Sequence, residues 1–165
     1  MPQEVPSLKP YYYRFTWLYI VITGVGVAAM LGLEFLLGTE VDLGAGFGIG
    51  ATLGAGLGAA TKFVHDQGRA PNAAERSRLV WGGVGILFLV SLAGMAAIFV
   101  VVAGSEAYDL LLYLAGLGNG LVLAIAAITL AFATAISFGL LYVAYGPWAR
   151  NFASKRSLNQ TEPAG

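Results

Sequence analysis

The chain has 165 residues, 58% of them hydrophobic and only 11% charged, with nine Lys and Arg against nine Asp and Glu. A soluble domain carries about 25% charged residues, so this composition points away from one, and a zero net charge argues against a nucleic-acid partner. The chain has no cysteine and one histidine, His65. That excludes disulfides, thiolate metal sites, cysteine nucleophiles and a His-rich metal centre, and no cofactor is expected.

Residues 1–14 read as an N-terminal tail and interface anchor. Pro2, Pro6 and Pro10 interrupt the first ten residues, which lack the apolar region and small-residue cleavage site of a signal peptide. The first apolar run is therefore expected to be a retained membrane helix. Tyr11, Tyr12, Tyr13 and Arg14 stand before it, an aromatic and basic group suited to headgroup depth. Phe15 to Leu37 is 23 residues, roughly 34 Å as a helix and enough to cross a bilayer. Further apolar runs are expected to span at about 43–64, 79–103 and 120–145. Gly146 and Pro147 are expected to stop the last of these, since proline cannot continue a helix. A polar C-terminal tail would follow from residue 147. The stretch 106–117 reads either as an interfacial helix or as the outer end of the fourth span.

Soluble burial of these runs is rejected on two grounds. Each is too long and too uniformly apolar to show a solvated face. The basic residues also sort by loop. Lys9 and Arg14 precede the first run; Lys62, Arg69, Arg76 and Arg78 lie between the second and third; Arg150, Lys155 and Arg156 follow the fourth. All nine fall on one side of a four-span arrangement, while the other side carries Glu40, Asp42, Glu106 and Asp109. The positive-inside rule then places both termini in the cytoplasm, and Trp17, Trp81 and Trp148 fall at the same interface. The expected fold is all-α, a polytopic bundle of four transmembrane helices with its transmembrane domain at 15–146.

The second run has seven glycines between Gly44 and Gly58. Gly46, Gly50, Gly54 and Gly58 step by four, beside a narrow bulky stripe of Ile49, Leu53 and Leu57. Small residues let membrane helices approach closely, which replaces the hydrophobic drive absent in lipid. The fourth run offers a similar stripe, Ala127, Ala131, Ala135 and Gly139. These two stripes are expected to pack against each other. The glycine segment reads either as tight packing inside one bundle or as an oligomer interface or pore lining. A dinucleotide fingerprint is set aside, because the glycines sit inside an apolar span with no strand before them.

Two further places carry candidate chemistry. Glu34 is the one carboxylate within a span, and such carboxylates are ion or proton sites by default. The loop after the second span carries Lys62, Asp66, Arg69, Glu75 and Arg78. Asn72 and Glu75 form a capping-box start for the third helix, with Pro71 before it. That loop reads either as a solvated, orientation-setting connection or as a docking surface for a partner or for anionic headgroups.

Lys62-Phe63, Asp66, Arg69, Pro71, Glu75 and Arg78, set between a glycine- and alanine-rich second span and a third span, resemble the loop pattern of a family of small uncharacterised bacterial four-span inner-membrane proteins. The resemblance covers most of residues 11–150. It implies a multi-pass inner-membrane location and supplies no activity. The expected function is that of a non-enzymatic membrane protein acting through helix packing. It would be an accessory subunit or a self-associating scaffold, in contact with membrane lipid and with another membrane protein or itself. The alternatives are a channel or transporter for a small ion or solute that uses Glu34, and an immunity protein against a membrane-inserting toxin.

Overall fold

The computed structural model describes residues 7–38, 44–103 and 120–161. The expectations for Glu40, Asp42, Glu106, Asp109 and the stretch 106–117 lie outside the described residues. Among the described residues every regular element is helical: α1 (Lys9–Leu37), α2 (Gly44–Gln67), α3 (Ala73–Ala103), α4 (Gly120–Val143), a π turn (Ala144–Trp148) and α5 (Ala149–Thr161). Four of the helices are long and apolar enough to cross a membrane. Their outward faces carry large apolar side chains; Phe35 is 89% exposed and Phe132 69%. Continuous apolar surface of this kind marks a membrane or partner contact rather than a water-facing wall. The chain is a helical-bundle membrane protein.

The helix limits follow from local chemistry. Pro10 occupies the first turn of α1, where its missing N–H is no loss and its fixed φ favours helix entry. The helix thus starts six residues before the expected Phe15, and Tyr11 to Arg14 belong to it. Tyr11 is not a headgroup anchor: it is buried at the bundle end, its ring centroid 4.9 Å from that of Phe63. Gly38 ends α1 with φ 64°, its N–H donating to Glu34 O at 2.9 Å. Gly68 does the same for α2, with φ 65° and a bond to Val64 O at 2.9 Å. Both left-handed positions favour glycine.

Pro147 does not stop the fourth span. The chain passes through it as the π turn and continues as α5 to Thr161. A proline inside an α-helix lacks its N–H and crowds the carbonyl four residues back. The wider turn accommodates both defects, a known use of π geometry in membrane helices. Ala149 N–H then bonds Gly146 O, and the helix resumes.

The buried core lies at the end where α1 and α3 begin and α2 and α4 finish. Tyr11, Phe15, Phe63, Leu79, Leu141 and Tyr145 are buried there, with Ala55, Ala59 and Ala60 behind them. Leu141 fills the centre. A Cβ on Gly56 of α2 would stand 2.9 Å from its Cδ2, and one on Gly83 of α3 would stand 2.8 Å from its Cδ1. One leucine thus ties α4 to two helices through two glycines. The α1–α2 seam extends from the clustered end to the start of α2: Leu18 covers Gly58, Ile22 covers Gly54, and the ring of Phe47 covers Gly26.

Candidate functional site

The loop 68–72 closes on itself through one carboxylate. Glu75 N–H donates to Asn72 Oδ1 at 2.9 Å, and Asn72 N–H donates back to Glu75 Oε2 at 2.9 Å. This is the expected capping box. Arg69 adds a bidentate pair: its Nη1 donates to Oε2 and its Nη2 to Oε1, both at 2.7 Å. The Glu75 side chain is 5% exposed and that of Arg69 45%. The Arg69 hydrogen bonds, helped by that from Asn72, hold the Glu75 carboxyl below its ordinary value against the opposing effect of burial. Arg69 also stands 5.7 Å from the centroid of the Phe63 ring, so the loop is fastened to α2 as well as to α3.

Tyrosines extend the fastening across the bundle. Tyr12 Oη donates to Arg78 O at 2.8 Å, joining α1 to α3, and Gln67 Nε2 donates to Tyr11 Oη at 3.2 Å, joining α2 to α1. Arg76 stacks on Tyr142, its guanidinium carbon 4.2 Å from the ring centroid, and its Nη1 would lie 3.2 Å from a Cβ on Gly146 in the π turn. A cation over a ring contributes about 0.5–1 kcal/mol where exposed and more where dry. All four spans are therefore bound together at this end by named polar contacts.

Of the five expected docking residues, Arg69 and Glu75 face each other in this internal clasp. Lys62 and Asp66 pair along α2 at 3.1 Å, with His65 Nδ1 3.5 Å from the other Asp66 oxygen. Arg78 is exposed and contributes its backbone carbonyl to Tyr12. Glu34 is half-buried in the last turn of α1. Among the described residues no three His, Asp or Glu side chains gather to hold a metal ion.

The expected pairing of the two small-residue stripes is not what the structure holds. Gly54 and Gly58 lie against α1, through Ile22 and Leu18, whereas among the described residues a Cβ on Gly46, Gly48 or Gly50 would meet nothing within 4 Å. The reason is geometric. Each step of four residues turns the row by about 40° on the helix, so Gly46 and Gly58 are separated by about 120° and one partner cannot cover both. The face of α2 that is buried is the neighbouring one, Ala51, Thr52, Ala55, Gly56, Ala59 and Ala60. On α4, Ala127, Ala131, Ala135 and Gly139 are all exposed. The three alanines line an open groove of about 690 Å³ with Trp81 and Phe138. Gly56 of α2 instead meets Leu141 of α4 and Ala144 of the π turn.

The tyrosine contacts, Arg76 on Tyr142 and the central Leu141 were not among the expected site residues. The run Tyr11-Tyr12-Tyr13 is the one visible signal, and its place before an apolar run suits headgroup depth equally well. Comparison with family models, with curated proteins and with solved structures finds no match.

Proposed function

We propose that this chain is a non-enzymatic integral membrane protein that works by helix packing, as an accessory subunit of a larger membrane complex or as a self-associating scaffold. The observation that carries the reading is the division of its small residues. Gly54, Gly56 and Gly58 are covered by the chain's own helices, while Gly46, Gly48 and Gly50 of α2 have no neighbour at the Cβ position among the described residues. The alanines of α4 are likewise exposed, beside Trp81 and Phe138. Small residues permit close helix approach in lipid, and the clasped end gives that approach a rigid base.

The sorting of all nine basic residues to the clasped end supports a multi-pass arrangement in a bacterial inner membrane with that end cytoplasmic. The loop resemblance points the same way. The test is native mass spectrometry of the chain extracted in mild detergent from its own membrane. A dimer, a higher oligomer or a stoichiometric complex with a second membrane protein is expected. A strictly monomeric particle at all detergent concentrations refutes the reading.

A further inference from the structure

Beside the clasp, the start of α1 and the end of α2 enclose a groove of about 440 Å³ lined by Lys9, Pro10, Tyr13, Arg14, Trp17 and Lys62. Three of its six lining side chains are cations and two are exposed aromatic rings. Lys62 also holds Asp66 at 3.1 Å. Lys9 and Arg14 have no carboxylate partner among the described residues. Among the described residues, the positive charge of Lys9 and Arg14 in the groove is therefore not offset by a carboxylate.

We propose that this groove binds the headgroup of an anionic phospholipid. Its depth in the membrane fits. Lys9 to Trp17 covers about 12 Å along the helix axis, and the polar region of one leaflet is roughly 5–8 Å deep. With Trp17 at the boundary of the hydrocarbon, Arg14 stands about 4.5 Å out, within that layer, and Lys9, about 12 Å out, stands on its aqueous side. Tyr and Trp favour that same layer because their rings are apolar and their tips polar. Below Trp17, Val21 and Val25 follow at helical spacing and are both exposed, an apolar lane for an acyl chain. A free phosphate ion would use the cations but not the lane or the rings. The volume suits a headgroup with its glycerol backbone, since small-molecule sites begin at about 300 Å³. The site needs only that this end of the spans lie at a headgroup layer, so it stands independently of whether the chain has a protein partner.

The test uses the full chain in detergent, titrated with dioleoylphosphatidylglycerol or dioleoylphosphatidylcholine and read by native mass spectrometry of retained lipid. Phosphatidylglycerol is expected to be retained preferentially. Each cation near an anionic surface changes affinity about fivefold, so Lys9→Gln with Arg14→Gln should reduce that preference about 25-fold. Lys9→Gln alone, at an exposed first helical residue, should reduce it about fivefold. The charge-keeping Lys9→Arg with Arg14→Lys should retain it, as should Arg150→Gln with Lys155→Gln elsewhere at the same end. Equal retention of the two lipids overturns the proposal. So does an unchanged preference in the double variant, or an equal loss in the Arg150 and Lys155 variant. Displacement of the bound lipid by millimolar inorganic phosphate assigns the groove to a free anion and overturns it as well.

Discussion

Replacing Glu75 by alanine removes the acceptor of three hydrogen bonds at once: two from Arg69 at 2.7 Å and one from Asn72 N–H at 2.9 Å. Breaking a fully buried ion pair costs about 3–5 kcal/mol because a charge is left dry. Here the survivor is Arg69, whose side chain is 45% exposed, so it rehydrates and the cost is smaller. About 1 kcal/mol for each discounted charge-assisted bond and about 1 kcal/mol for the lost half of the capping box give about 3 kcal/mol. Hydrogen exchange of the backbone amides between Phe63 and Arg78 reads that number directly, because local opening exposes them. Exchange there should accelerate about 150-fold, with the amides of α4 near Phe132 unaffected. Glu75→Gln keeps an acceptor for Asn72 but loses the charge, and should fall between the two. The same bonds make the loop sensitive to acid. The folded carboxyl sits below its ordinary value of 4.5, so the clasp contributes fully above about that pH and loses its contribution as pH falls through the lower folded value. Protection of 63–78 that is unchanged in Glu75→Ala, or that improves on acidification, refutes this description of the loop.

Glycine substitutions separate internal packing from outward faces. Gly56→Leu must displace Leu141 and Ala144 and should destabilise the bundle by about 1–3 kcal/mol, seen as a lower melting temperature in detergent. Gly50→Leu points into open space and should melt within about 0.5 kcal/mol of the parent while weakening any association measured by sedimentation. Leu141→Ala empties the space between Gly56 and Gly83 and should cost about 2–5 kcal/mol, more than any other single truncation on α4. Tyr12→Phe removes the bond to Arg78 O and should cost about 1 kcal/mol, detectable as faster exchange at the start of α1.

The elements that depend on nearby residues were legible in the sequence. Four apolar runs became four long helices, and the Asn72–Glu75 box formed as spaced, because its two bonds join positions three apart. Elements that depend on distant partners were not. Tyr11 looks identical whether it meets headgroups or Phe63, and only the closing of α2 onto α1 decides between them. Leu141 is one of several leucines in its run, and its position between Gly56 and Gly83 follows from how three helices cross. The glycine row was visible, but its slow winding around α2 splits it between two surroundings, with Gly58 under Leu18 and Gly50 bare. Pro147 ordinarily ends an α-helix, and the π turn absorbs that effect.

Because the chain contains no cysteine, single-cysteine variants report one position each without background, and the bare half of α2 can be probed in the native membrane. Gly50→Cys should form a disulfide-linked dimer or a discrete adduct with a second membrane protein under mild oxidation or a short bifunctional cross-linker, while Gly56→Cys, enclosed by Leu141 and Ala144, should not. Absence of any adduct from Gly50→Cys, or equal labelling at both positions, contradicts the claim that this face is covered by another protein.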